Sequence, residues 1–114
     1  MRRSVSIKNN SEFRRLYSKG RSSVQPTLVV YSRRSKSGVN RVGFTVTVKL
    51  GHAVVRNRVR RRLREVFRLN DSRVKQGYDF ILVARTRAVT SSFEELMRTY
   101  RKLLKELALW EEEV

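Results

Sequence analysis

Seven arginines fall within the thirteen residues from Arg56 to Arg68, inside the run AVVRNRVRRRLREVFR that begins at Ala53, and the one acid among them is Glu65. Guanidinium groups are planar forks that match phosphate oxygens bidentately, so this density points to polyanion binding rather than to proton transfer. Side-chain catalysis has little else to work with. His52, the single histidine, has no Ser or Cys dyad indicated, and its nearest carboxylate in sequence is Glu65, so it reads as an ordinary loop histidine. Glu12, Glu65, Asp71, Asp79, Glu94, Glu95 and Glu106 are scattered without the close spacing of a two-metal site. The glycines match neither a dinucleotide fingerprint nor a phosphate-cradling loop. No catalytic residue and no metal ligand is assigned, and no cofactor is expected on the protein. Most charge runs are solvated faces, but those mix both signs, and this one does not.

The run must be held as one helix, because Val59, Leu63, Val66 and Phe67 follow the i, i+4, i+7, i+8 spacing of a single apolar stripe. Asn57, Arg61, Arg64 and Arg68 then fall about 140 to 200° around from Val59, opposite the docked stripe, with Arg58, Arg60 and Arg62 flanking them. Like charges on so short a helix repel by a few tenths of a kcal/mol for each i, i+4 pair. A polyanion relieves that repulsion. Free backbone N–H groups at a helix N-terminus also bind phosphate, and Arg56 and Asn57 stand at or near that end.

Upstream, residues 1–10 are polar, basic and without period, and are expected to stay loose as an arm until a partner orders them. Ser11 is a plausible N-cap for a short helix over Ser11–Lys19 that Gly20 ends, with Phe13, Leu16 and Tyr17 on one face. Phe13 and Tyr17, four apart, read first as core packing. Arg14, Arg15, Lys19 and Arg21 around them make the aromatic-plus-basic pattern that binds unpaired bases. A strand is expected from Val24 to Ser32, with Pro26 near its start, and a second over Val42, Phe44, Val46 and Val48 by strict alternation, the two forming an antiparallel hairpin. The thin second face of that strand, Gly43, Thr45 and Thr47, is either exposed or the floor of a shallow groove. Tyr78–Ala84 reads as a strand buried on both faces, so strand, basic helix and strand suggest a crossover in a mixed sheet. Ser92 with Glu95 makes a capping box that opens an amphipathic final helix.

Composition bounds the rest. A chain of 114 residues suits one domain over residues 1–114, with about two thirds of its unfolded surface buried. The absence of cysteine excludes disulfides and cysteine-ligated zinc, and a cytoplasmic location is expected. No apolar run approaches the about 18 residues of a membrane span, and no secretory h-region follows the basic start. Net charge is +17. All of the excess lies before Glu65, and so one-sided a field favours a polyanion and keeps the protein monomeric.

The segment VKLGHAVVRNRVRRRLREVFR closely resembles the motif of the bacterial ribonuclease P protein subunit family: a basic residue and glycine, then Ala-Val, then Arg-Asn-Arg opening a basic helix. Here Lys49, Gly51, Ala53, Val54, Arg56, Asn57, Arg58, Arg60, Arg61 and Arg64 carry it. The order of elements matches almost end to end, including RVGFTV and DFILVAR. The resemblance implies an α+β protein, a two-layer α/β sandwich with a four-stranded mixed sheet, about three helices and a left-handed βαβ crossover, shared with domains of a ribosomal protein and elongation factor G. It implies an accessory subunit that binds the catalytic RNA and the 5′ leader of precursor tRNA, the RNA performing a magnesium-dependent cleavage. By position, Arg56, Asn57, Arg58, Arg60, Arg61 and Arg64 look like the contact to that RNA, and Arg68 extends their row. Phe13, Tyr17 and Tyr31 match the aromatics of a leader-binding cleft between helix and sheet, and Lys8 resembles a basic residue beside it. Tyr17 stands where Phe is common, and Arg60–Arg62 replace a more mixed set.

Two other readings remain at this stage. One is a ribosomal or general structured-RNA-binding protein without an enzyme role. The other, a DNA-binding regulator, is disfavoured because the basic helix follows a strand and a loop rather than another helix, and no DNA or membrane partner is expected.

Overall fold

The apolar run Tyr78–Ala84 can satisfy its backbone and both its faces only by taking the middle of a sheet. It does so in the computed structural model, which describes residues 4–7 and 9–112. In chain order the elements are β1 (Ser4–Ser6), α1 (Asn10–Lys19), β2 (Arg21–Val24), β3 (Leu28–Arg34), β4 (Asn40–Thr45), α2 (Ala53–Asn70), β5 (Tyr78–Ala84) and α3 (Phe93–Glu106). The sheet order is β1-β4-β5-β3-β2. β5 runs antiparallel to β3 and parallel to β4, so α2 is the crossover between two parallel neighbours. Strands β2 to β5 make the expected four-stranded mixed sheet, and three-residue β1 extends its β4 edge in parallel.

Alternation along the strands gives the sheet two unlike faces. On one, Leu28, Val30, Val42, Phe80, Leu82 and Ala84 pack under α2 and α3, which contribute Val59, Leu63, Val66, Phe67, Leu96, Tyr100 and Leu103. On the other, Ile81 packs with Leu16 of α1 and with Ile7, bordered by Phe13, Tyr31 and Val83. The sandwich is thus the sheet against α2 and α3, with α1 laid across the outer face. The helix ends follow local chemistry. Ser92 Oγ accepts from Glu95 N (3.1 Å), as the capping box requires. The start of β5 is held by Asn40, fully buried, whose Oδ1 accepts from Tyr78 N (3.0 Å) while its Nδ2 donates to Asp71 Oδ1 (3.2 Å).

Several expectations are corrected. The strand expected over Val24–Ser32 is two, because Pro26 has no N–H for a ladder and the chain turns there, Gln25 N donating to Leu28 O (2.9 Å). The hairpin is therefore β2–β3. β3 and β4 do not pair, since β5 inserts between them to cover its own two edges. β4 ends at Thr45, and Val48–Leu50 is a 3₁₀ turn. The arm is not loose where it is described: Ser4–Ser6 pair with β4, Ile7 N donates to Val42 O (2.8 Å), and Ile7 is buried. Asn9, not Ser11, caps α1, its Oδ1 accepting from Ser11 N (2.8 Å).

The stripe Val59, Leu63, Val66, Phe67 is buried as its spacing requires. Leu63→Ala is expected to lower the unfolding free energy by about 2–5 kcal/mol, read from urea titration. Leu69→Ala, on the same helix but 47% exposed, should cost less than about 1 kcal/mol. Equal losses would mean that α2 does not dock by that stripe.

Candidate nucleic-acid interface

Two surfaces carry the residues that the sequence singles out, and they lie on opposite faces of the sheet. The first is α2. Gly51 precedes it at φ 137°, a backbone conformation that L side chains rarely adopt, and a Cβ there would press Val55 at 3.3 Å. His52 is the exposed N-cap and its side chain makes no capping bond. The first-turn N–H groups therefore face outward beside Lys49, with Val48 (74%) and Val54 (81%) exposed around them.

Along the helix Asn57, Arg58, Arg61, Arg64 and Arg68 are exposed, while Arg56, Arg60 and Arg62 are half-buried. The arginines are not equivalent. Arg56 Nη1 donates to Gly51 O (3.3 Å), and Arg58 Nη2 to Val89 O (3.3 Å). Arg60 Nη1 donates to Asn57 Oδ1 (3.0 Å), so Asn57 orients a neighbour as well as facing outward. Arg64 lies over the Phe44 ring, 5.8 Å from its centroid, which fixes its stem against the sheet edge. Arg68 is paired with Glu65 through Nε (3.0 Å) and through Nη2. Hydrogen bonding from Arg68 holds the Glu65 carboxyl below the usual carboxylate range. The expected row is therefore divided: Arg61 has no partner among the described residues, whereas Arg68 is locally neutralised.

The second surface is the outer face under α1. Residues that face the same way on β4, β5 and β3 form rows: Arg41, Asp79, Arg33; then Gly43, Ile81, Tyr31; then Thr45, Val83, Val29. α1 lies across these strands with Leu16 against the sheet. Phe13 sits on Gly43, where a Cβ would overlap its Cζ and stand 2.9 Å from its Cε1. Only glycine leaves that seat open. Tyr17 meets Tyr31 edge to face with centroids 4.8 Å apart, and Phe13 at 6.4 Å. Its hydroxyl shares a 2.6 Å hydrogen bond with Thr45 Oγ1. Phe13, Tyr17 and Tyr31 are thus brought together, with Thr45 and Gly43 as the groove floor that the thin face of β4 left open. Tyr17 is 39% exposed and so remains accessible from solvent, whereas Phe13 is part of the packing. Lys8 lies outside the described residues.

Sequence reasoning missed Arg41. Its Nε and Nη2 each donate to Asp79 at 2.8 Å, and it also pairs with Glu12. Hydrogen bonding to Asp79 raises its pKa against the opposing effect of burial, and Glu12 adds to the rise. The three residues come from α1, β4 and β5, and no local pattern links them. The described residues hold no group of three or more His, Cys, Asp or Glu that could bind a metal, and no helix long and apolar enough to cross a membrane.

The whole chain has known relatives. A family model described as Ribonuclease P matches residues 1–108. The Ribonuclease P protein component of Thermoanaerobacter sp. (strain X514) is 44% identical over 109 residues, covering 96% of this chain and 94% of that one. The structure of Staphylococcus aureus RNase P protein superposes with a TM-score of 0.85 at 32% identity, covering 95% of this chain and 99% of the other. The RNase P protein from Thermotoga maritima superposes with a TM-score of 0.81 at 26% identity, over 89% and 96%.

The unequal arginines lead to an expectation for any structured RNA that α2 contacts. Arg61→Ala should flatten the dependence of log affinity on log salt by about one. Arg68→Ala should flatten it by less, because Glu65 already accompanies that charge. Salt titration of binding checks both, and equal changes would show that the Glu65 pair opens on binding.

Proposed function

The chain belongs to the ribonuclease P protein family, and on that premise we propose that it is the subunit that binds the catalytic RNA and the 5′ leader of precursor tRNA. Its family is a component of a tRNA-processing ribonuclease. α2 supplies the contact to the RNA subunit through Arg56, Asn57, Arg58, Arg60, Arg61 and Arg64, with Arg68 joining once it leaves Glu65. Phe13, Tyr17 and Tyr31 receive the leader, and Lys8 is assigned to it by its resemblance to a basic residue beside the family's cleft. Magnesium and the bond-breaking step belong to the RNA. The protein works in the cytoplasm and is monomeric until RNA is present, in keeping with a net charge of +17 that opposes self-association.

One observation carries this reading: the aromatic cluster and the arginine row are on opposite faces of one sheet, held by different helices. A protein that only coats RNA has no use for two surfaces of unlike chemistry. Guanidinium groups on a helix engage phosphates of a folded RNA. An exposed tyrosine ring on the other face of the sheet stacks on a base of any identity, at about 1–3 kcal/mol per base. Leaders differ in sequence from one precursor to the next, so stacking suits them where base-edge readout would not.

The test is reconstitution. The protein is added to a bacterial ribonuclease P RNA at low magnesium, and cleavage of a precursor tRNA with a leader of several nucleotides is followed. Stimulation of the RNA, with no cleavage by protein alone, is expected. Tight salt-dependent RNA binding without stimulation would replace the subunit role with general RNA binding. Because Phe13 is packed on Gly43, Tyr17 is the cleaner probe of the groove. Tyr17→Ala should weaken holoenzyme affinity for a long-leader precursor by about 5- to 150-fold, the range of one lost stack, and leave affinity for the RNA subunit unchanged. Tyr17→Phe should retain most of the affinity, since it keeps the ring and loses only the Thr45 bond. Equal loss of both affinities in Tyr17→Ala would return the tyrosine to a packing role.

A further inference from the structure

α1 divides the outer face of the sheet. Phe13 and Tyr17 lie along one flank, toward Thr45, and Glu12 and Arg15 along the other, toward Arg41 and Asp79. The second flank encloses a pocket of about 410 Å³ between α1 and the β3–β4 connection. None of the functional roles above uses it. Its rim carries Arg15, Arg33 and Lys36, and among the described residues none of these side chains has a hydrogen-bond or ion-pair partner. Its floor is the Arg41–Asp79 pair.

The charge in this pocket is arranged for an incoming anion. Asp79 and Glu12 are the acids that line it, and both are engaged by Arg41. One guanidinium against two carboxylates leaves the floor a single net negative charge, and the three rim cations, which have no protein anion of their own, outweigh it. The rim is also ordered. Ser35 N donates to Gly77 O (2.8 Å), Ser37 N to Ser35 Oγ (3.1 Å), and Ser37 Oγ to Val39 O (2.9 Å), which ties the connection to the start of β5. Like-charged side chains held together on a fixed scaffold repel one another until an anion enters, so binding recovers that energy. No aromatic side chain lines the pocket, and Leu16 is its one apolar wall. Base stacking has no platform there, so the group recognised is phosphate rather than base.

We propose that this pocket is a second phosphate-binding site, which takes the sugar–phosphate backbone of an RNA segment other than the base stacked on Tyr17. The assignment of that RNA to the ribonuclease P assembly rests on the function proposed above, and the phosphate chemistry does not. Two sources offer the same backbone: the RNA subunit, and the precursor tRNA.

The experiment compares Arg15→Ala with Lys36→Ala, made together at exposed positions away from the core, against the wild-type chain. Arg98→Ala with Lys102→Ala, the same loss of charge on the exposed face of α3, is the control. Salt dependence of binding is measured for the RNA subunit, for a leader-bearing precursor in the holoenzyme, and for a single-stranded oligouridylate. The Arg15/Lys36 variant is expected to flatten the log affinity against log salt slope by about one per lost contact, and the control to leave it unchanged. Flattening with the RNA subunit alone assigns the pocket to that RNA. Flattening only in the holoenzyme with precursor assigns it to the substrate. An unchanged slope with all three RNAs, or an equal change in the control, overturns the proposal. If the wild-type chain bound no ribonuclease P RNA, the function proposed above would fall, and the pocket would be judged on the oligouridylate, where an unchanged slope sinks it.

Discussion

The two-sided burial of β5 is the constraint on which the molecule depends. Phe80, Ile81 and Leu82 are all fully buried, so consecutive residues must be covered from opposite sides. The strand therefore needs a neighbour at each edge and a helix on each face. β4 is its parallel neighbour, and a parallel pair cannot be joined by a tight turn. The connection has to leave the sheet, cross a face and return, which makes α2 a structural necessity before it is a binding element. The arginines ride on this helix, whose position is dictated by the two paired strands it joins. Their outward row is fixed by the burial of Val59 and Leu63 on the opposite side of the same helix.

That arrangement places repulsion and packing in opposition. α2 holds its cations close enough to repel, and its docked stripe keeps the helix together regardless. The chain moderates the repulsion where it can: Glu65 accompanies Arg68, Asn57 accepts from Arg60, and carbonyl oxygens of Gly51 and Val89 accept from Arg56 and Arg58. Neither Arg61 nor Arg62 has such a partner among the described residues. The unrelieved charge sits at the centre of the row, where an anion spanning the helix would have to pass.

Much of this was legible in the sequence, for reasons that separate local from long-range physics. The stripe of α2, the capping box at Ser92 and Glu95, and the alternation of β4 are set by residues within two turns or one strand of each other, and periodicity reads them directly. The pairing of strands is a global matter. Nothing within β3 or β4 says that β5 will insert between them, so the expected hairpin was misplaced by one neighbour. The arm shows the same limit. Ile7 has no periodic partner nearby, and its burial depends on Leu16 and Ile81, far apart in sequence. For the site, residue types alone marked Phe13, Tyr17 and the arginines, and the wider family resemblance added Tyr31. Gly43 and Thr45 were visible as a thin strand face, but their use as a seat for Phe13 and a partner for the Tyr17 hydroxyl needs the sheet register. Arg41, Asp79 and Glu12 had no signal at all.

The same register explains why a single short helix can serve two chemistries. Leu16 anchors α1 by one residue at the centre of its buried face, and helical geometry then sends positions 13 and 17 to one side and positions 12 and 15 to the other. Beneath it the β rows change character over four residues, about 13 Å of strand, from Thr45–Val83–Val29 through Gly43–Ile81–Tyr31 to Arg41–Asp79–Arg33. The apolar row supports rings, and the charged row supports ions. The Arg41–Asp79–Glu12 contact does more than neutralise charge, because it joins the charged end of the sheet to α1 and so fixes the angle at which the helix crosses. Tilting α1 would move Tyr17 away from Thr45 and Tyr31 as it broke that contact. The ion-paired flank therefore sets the geometry of the aromatic one, and the two halves of the outer face are one mechanical unit.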